Sequence, residues 1–329
     1  MKLFSKIAAG FIVVLIAIVA IAYVVLQRPD TPYETLEARY AAPTSHFVDL
    51  PSGIRAHYRD DGVPSAPAVM LVHGFGDSFL SWTQWIDILS RNFRVVTVDV
   101  PGHGLTRAPE SWTPTAAAQV EFIDEFAAAT KLPAFAIAGN SMGGTIAWRT
   151  TLAHPERIRA LVLVDADGFP NKKQAEQPWA FQLLGTPIGR WALEHLETHA
   201  ITRASLQNSL LNNPLVTDDF VTRWIDVQRA PGHRRILMWR PNGEDASTAA
   251  FKFTKADPVQ LSTIGVPTLV LWGEKDPLIE PASARKFGAA IPGATVITYP
   301  NVGHMPQLEN PDQSAADVDA FLKRALIER

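Results

Sequence analysis

Cysteine is absent from all 329 residues. That excludes disulfides, a thiol nucleophile and zinc or iron–sulfur sites built on cysteine. A chain without thiols is at ease in oxidising and reducing surroundings alike. Net charge is also small: 30 Lys and Arg against 33 Asp and Glu leave −3. No long basic run offsets this, so a nucleic-acid partner is not expected. The phosphate-binding pattern G-x-x-x-x-G-K-[ST] does not occur. His195 and His199 are four apart on an expected helix but lack a nearby acid in metal-site spacing, so they are expected to face solvent. No metal and no cofactor is expected, and there is no internal repeat or low-complexity tract.

What is present begins with an apolar N-terminus. Lys2 and Lys6 precede an uncharged run from Ile7 to Leu26, and about 20 such residues span a bilayer as a helix. Residues 1–28 are therefore expected to be a transmembrane signal-anchor. A cleaved signal peptide is the main rival, because Ala20-Ile21-Ala22 resembles a small-x-small cleavage site; a buried core helix is the other, though the run shows no polar face. The lysines before the span predict a cytoplasmic N-terminus and a globule on the far side, periplasmic in a bacterium. Residues 29–45, with Pro29, Pro32 and Pro43, read as a linker.

Beyond it, strand and helix patterns alternate. Residues 46–50 and 54–60 flank Pro51-Ser52-Gly53 as a hairpin. Short apolar, β-rich runs at 68–72, 94–98, 135–138, 160–164, 268–272 and 294–299 are separated by helical spacing at 80–91, 115–130, 142–153, 281–290 and 312–327. Strands apolar on both faces predict an α/β fold with a mostly parallel, doubly wound sheet and an antiparallel hairpin at one edge. From 168 to 255 the strand runs vanish, and Trp179, Trp191, Trp224 and Trp239 concentrate there. The expected organisation is a core in two parts, 46–167 and 256–329, interrupted by a helical lid at 168–255.

Gly139-Asn140-Ser141-Met142-Gly143 fits G-x-S-x-G between a strand and a helix, the setting of a nucleophilic serine. A very tight turn lifts the hydroxyl above the sheet, and the close backbone approach calls for the flanking glycines Gly139 and Gly143. The hydroxyl needs a base. His304 follows the last strand, and Asp276 follows the strand at 268–272, which gives the chain order Ser, Asp, His. In this reading Ser141 attacks a carbonyl, His304 takes its proton and Asp276 orients the imidazole. Glu274, Asp165 and Asp167 are rivals for the acid. The oxyanion hole is expected from the backbone N–H groups of Met142 and of Phe75, in the loop His73-Gly74-Phe75-Gly76. His73 is expected to pin that loop by hydrogen bonds, and His103, ahead of the serine, is not expected to be the base.

Together with Asp99-Val100-Pro101-Gly102-His103-Gly104 and His154-Pro155-Glu156-Arg157, these motifs resemble the α/β-hydrolase superfamily, in its lid-bearing serine esterase and lipase branch, over about 46–327. The resemblance implies a serine hydrolase acting on a small-molecule ester, lipid-like or otherwise apolar. The elbow Gly-Asn-Ser-Met-Gly-Gly is also similar to that of carbon–carbon bond hydrolases of ring-cleavage products. Relatives that resemble monoacylglycerol lipases fit an anchor better. Dehalogenases and epoxide hydrolases of this fold place aspartate at the elbow, and the serine argues against both. A non-catalytic ligand-binding protein is the alternative of another class, although no triad position is missing.

Overall fold

The structure, a computed structural model, describes residues 2–170, 186–239 and 256–328. The parts of the expected lid at 171–185 and 240–255, Trp179 included, lie outside the described residues.

An eight-stranded sheet organises the chain, in the order β1-β2-β4-β3-β5-β6-β7-β8. β1 (Ser45–Asp49) and β2 (Arg55–Gly62) form the expected hairpin. β2 also runs antiparallel to β4 (Arg94–Val98). β3 (Ala68–Val72), β5 (Phe135–Asn140), β6 (Ile158–Val164), β7 (Thr268–Gly273) and β8 (Thr295–Tyr299) continue from β4 in parallel. The fold class is thus the one the alternating pattern predicts.

The period of two along each strand divides the core. Met70, Val72, Val96 and Ile137 point to one face, where they meet α4 (Ala116–Ala129), α5 (Met142–Ala153) and α11 (Ala282–Ala290) through Phe122, Ile146 and Phe287. Val69, Leu71, Val95 and Ala138 point to the other. There they meet α3 (Thr83–Leu89) and α13 (Pro311–Leu326) through Trp85, Leu89, Val318 and Leu322. Trp85 Nε1 donates to Ser314 Oγ at 2.9 Å, so the indole is buried without losing a hydrogen bond.

Between β6 and β7 the described lid contains α6 (Pro187–His195), α7 (His199–Ser209), α8 (Asp218–Gln228) and α9 (His233–Leu237), followed by the short α10 (Pro258–Leu261). His195 and His199 were expected on one helix face. They instead sit on two helices, because α6 ends at His195 and α7 begins at His199. Leu206, Leu210, Phe220, Val221 and Ile225 form a separate apolar cluster with Met305, just beyond β8.

The N-terminal part differs from expectation. α1 (Lys2–Leu26) is a helix of 25 residues. Its described side chains, from Gly10 onward, include exposed apolar groups such as Phe11 at 71% and Val13 at 65%. Among the described residues no helix is long and apolar enough to cross a membrane, so the expected anchor has no span behind it there. Within the expected linker, Pro32 opens a helix, α2 (Tyr33–Tyr40). Tyr33, Leu36 and Tyr40 recur at three- and four-residue spacing and pack on Phe79, Leu105, Val227 and Ala230. Tyr33 Oη also lies 3.0 Å from His233 Nε2, and Tyr40 donates to Asp226 at 2.6 Å.

Leu36 is 1% exposed. Leu36→Ala is expected to lower unfolding stability by about 2–4 kcal/mol, the range for truncating a buried leucine. A denaturant midpoint indistinguishable from the parent's rules out docking of α2 as part of the folded core.

Candidate active site

The site lies at the carboxyl edge of the sheet, between β3 and β5. Strand order reverses there, which opens a crevice. Ser141 is the single residue between β5 and α5 and holds φ 55° and ψ −118°. That conformation is costly for a residue with a side chain and persists only where the surroundings impose it. Here they are close-packed backbone. A Cβ on Gly139 stands 2.1 Å from the carbonyl oxygen of Gly143, and one on Gly143 stands 2.1 Å from that of Val72. A Cβ on Gly144 meets Ala166 Cβ at 2.4 Å. The Ser141 N–H donates to Val164 at 3.0 Å, and its carbonyl accepts from Thr145 and Asp167. Helix α5 therefore starts directly after the serine, with the positive end of its dipole at the site.

His304 lies beyond β8 and Asp276 beyond β7. The imidazole Nδ1–H donates to Asp276 Oδ2 at 2.8 Å. Asp276 is fully buried, and its Oδ1 accepts from the N–H groups of Leu278 at 2.7 Å and Ile279 at 3.0 Å. Burial works against a charged imidazole. The charge and hydrogen bond of Asp276, with Glu309 and Asp167 adding to them, outweigh it and hold His304 above the ordinary histidine value.

Ser141 and His304 line one cavity of about 170 Å³, together with Gly74, Phe75, Gly76 and Asn140. Its roof is mostly apolar: Leu193, Ile201, Leu206, Trp224, Leu237 and Met238 come from the lid, with Thr202, Ser205, Ser209 and Gln228 among them. Met142 opens α5 with its side chain buried. The loop after β3 is pressed against the serine, since a Cβ on Gly74 stands 3.3 Å from Ser141 Cβ. His73 fixes that loop: Nδ1–H donates to Gly74 O at 2.8 Å, and Nε2 accepts from the N–H of Val100 at 3.0 Å. The bond that Nε2 accepts needs the neutral ring, and burial pulls His73 below the ordinary value. Asp99 braces the next loop, accepting from the N–H groups of Phe79 and Leu105 and bonding His57.

Of the rival acids, Glu274 is exposed and accepts from Thr298 Oγ1 at 2.7 Å. Asp167 accepts from the N–H of Gly168 at 2.8 Å, and burial raises it to about 6. Asp165 lies behind Asp276. Carboxylate oxygens of these two and a ring nitrogen of His304 fall within 4.8 Å of one another. His103 is buried and bonds Pro101 O, away from the cavity lining.

Three supports escape a reading of the sequence. Asn140 Nδ2 donates to Val164 O and to His304 O, each at 3.1 Å, and so ties the elbow to the histidine loop. Glu309 accepts the N–H groups of Gly303 at 2.8 Å and Met305 at 2.9 Å. Gln228 Nε2, on α8, donates to Gly76 O at 2.6 Å. Only the x in G-x-S-x-G could have pointed to Asn140; Gln228 depends on long-range packing, and Glu309 on the path of its own loop.

The family model described as the alpha/beta hydrolase fold matches residues 67–311. The chain belongs to that family. Lipase 3 of a Moraxella species is 28% identical over 290 residues, which cover 83% of this chain and 83% of the lipase. A crystal structure of a membrane phospholipase A, described as a bacterial virulence factor, superposes with a TM-score of 0.70 at 22% identity, over 98% of this chain and 99% of that one. A meta-cleavage product hydrolase from Pseudomonas fluorescens superposes with a TM-score of 0.73 at 23% identity, over 85% of this chain and 98% of that one. The chain is thus a hydrolase-family protein with lipase relatives.

The contact at Gly143 gives a direct test of the elbow. Gly143→Ala is expected to lower stability by about 3 kcal/mol or more, because the new methyl meets backbone that cannot swing away. Gly265→Ala, where nothing lies within 4 Å, is expected to be near neutral. Equal thermal midpoints for the two variants count against a close-packed elbow.

Proposed function

We propose that the chain is a serine hydrolase that cleaves carboxylic esters with apolar or lipid-like acyl groups through an acyl-enzyme. The observation that carries this reading is the joint placement of Ser141 and His304 on one cavity with a mostly apolar roof, with Asp276 on Nδ1 of that histidine. With Nδ1 engaged, Nε2 is the nitrogen left to take a proton. Ser141 Oγ attacks the ester carbonyl as its proton passes to His304 Nε2, and Asp276 stabilises the imidazolium. The N–H groups of Phe75 and Met142 receive the oxyanion of the tetrahedral intermediate. His304 then protonates the departing alcohol. In the second half it deprotonates a water, which attacks the acyl-serine and frees the carboxylic acid. The apolar lid side chains favour an apolar acyl group over a charged one, and the likeness to Lipase 3 points the same way.

The elbow sequence Gly-Asn-Ser-Met-Gly-Gly and the likeness to the meta-cleavage product hydrolase support a second reading, carbon–carbon bond hydrolysis on the same residues. Turnover of dienoate ring-cleavage products with negligible ester turnover decides for it.

The parent protein is expected to hydrolyse nitrophenyl esters, and Ser141→Ala to lose both this activity and labelling by a fluorophosphonate. An unchanged rate in that variant removes the serine from the mechanism. Catalysis needs neutral His304, and its Asp276 partner raises its proton affinity. Activity is therefore expected to fall as pH drops through a value above about 6.5, the ordinary histidine value. Asp276→Asn is expected to cost about 10³–10⁴ in kcat and to move that limb to lower pH. A limb that stays in place in Asp276→Asn argues that another acid faces the histidine.

We further propose that residues 1–28 anchor the chain in a membrane, N-terminus in the cytoplasm and catalytic domain on the far side. The support is the uncharged run Ile7–Leu26 behind Lys2 and Lys6, with the exposed apolar side chains of α1. Protein that carries residues 1–28 is expected to sediment with membranes and to be released by detergent but not by alkaline wash. Recovery in the soluble fraction refutes the anchor, and labelling of intact cells by a membrane-impermeant fluorophosphonate reports the side.

A further inference from the structure

We propose that Asp165 is a positioning residue that acts as a neutral carboxylic acid, donating a hydrogen bond to Asp276 and thereby fixing the acid that orients His304. The proposal rests on the triad reading above.

Asp165 directly follows β6 and is fully buried at φ 42°, a left-handed conformation uncommon for a residue with a side chain. Backbone pairing holds it there: its N–H donates to Leu271 O at 3.0 Å. Its Oδ1 accepts the N–H of Gly273, the last residue of β7, at 2.9 Å. Its Oδ2 is buried and meets no donor. Three residues beyond Gly273 stands Asp276, whose carboxyl comes within 4.8 Å of that of Asp165 and of the ring of His304.

Two carboxyl groups this close and out of water do not both ionise. The donors decide which one keeps the proton. Asp276 accepts from the N–H groups of Leu278 and Ile279 and from Nδ1–H of His304. Both of its oxygens are thus engaged as acceptors. Asp165 takes one donor and leaves an oxygen without one, as a hydroxyl oxygen that itself donates can be. Burial, and after it the charge of Asp276, push Asp165 well above the usual carboxylate range. Glu309, on α12 (Pro306–Glu309), pushes the same way. The remaining titratable groups around the cluster are Asp167, which acts on His304, and Tyr299, which donates to Asp317 at 2.9 Å. The acid pair thus presents a single negative charge to His304. A protonated Asp165 restrains Asp276 from behind, so that its Oδ2 stays on Nδ1.

Asp165→Asn and Asp165→Ala separate this role from a merely structural one. Asn keeps the shape, offers an N–H to Asp276 and a carbonyl to the Gly273 N–H, and carries no charge. Asp165→Asn is expected to keep kcat within about tenfold, with its acid limb within about half a pH unit of the parent's. Asp165→Ala removes the donor. It is expected to lose about 10²-fold in kcat, with the acid limb shifted to higher pH, because Asp276 then has its full charge for His304. An acid limb lowered by about one unit or more in Asp165→Asn overturns the proposal, since a charge was then removed. A folded Asp165→Ala with the parent's profile overturns it as well, as does equal loss in both variants.

Infrared difference spectra supply a readout that needs neither activity nor the alanine variant. Parent minus Asp165→Asn is recorded at mildly alkaline pH, above the values to which burial raises Asp77, in the loop after β3 (about 7), and Asp167 (about 6). A protonated-carboxyl band is expected, and its absence refutes the neutral acid. If Ser141→Ala retains activity while this band is present, the triad reading has failed and the neutral Asp165 has not.

Discussion

The geometry of Ser141 constrains everything around it. A serine at φ 55° between a strand and a helix is a local loss of stability. It is held by three backbone layers that touch without intervening side chains. β5 lies on the first turn of α5 at Gly139, and that turn lies on the end of β3 at Gly143. The sheet must bring β3 and β5 side by side for this contact to exist. The parallel pairing of Val72 with Gly139 does so at the last rung. Strand order, helix packing and the exposure of one hydroxyl are therefore a single requirement.

Around that hydroxyl the sheet edge gathers acids. Asp165, Asp167, Asp276 and Glu309 all act on His304 or on each other. Such crowding is tolerable out of water only where backbone N–H groups and protons offset the charge. Gly168, Gly273, Leu278, Ile279, Gly303 and Met305 supply N–H groups. These donors come from loops at the ends of β6, β7 and β8. The same turns that end the strands thus dress the acids.

Most of the sheet was legible in the sequence, because strands buried on both faces are written as uninterrupted β-branched and apolar runs. Residues 94–98 coincide with β4, and 142–153 with α5. Ser141, Asp276 and His304 could be singled out as candidates because each stands just beyond a strand end. Helix α2 was not. Eight residues carry too little periodicity to stand out, and Pro29, Pro32 and Pro43 read as linker, whereas Pro32 is where the helix begins. His195 and His199 misled for the opposite reason: four-residue spacing takes no notice of a helix end between them. Asn140 and Gln228 act through partners on other elements, 164 residues away for Asn140 and His304 and 152 for Gln228 and Gly76, and Glu309 turns back on its own loop, whose path no local pattern specifies.

The chain after α1 does not fasten to the core first. Arg28 pairs with Glu197, Asp30 with Arg234 at 2.6 Å, and Pro29 O accepts from Arg229 at 2.8 Å; Glu197, Arg234 and Arg229 are lid residues. Thr31 N–H then bonds Arg229 O, and Tyr33 reaches Pro231 O and His233. Residues 28–40 are thus a strut between whatever holds the N-terminus and the roof of the cavity. A shortened chain beginning after residue 40 keeps every strand of the sheet, but it releases the roof from its outer brace. Where such a chain is cut decides whether it reports the behaviour of the whole protein or of a loosened cavity.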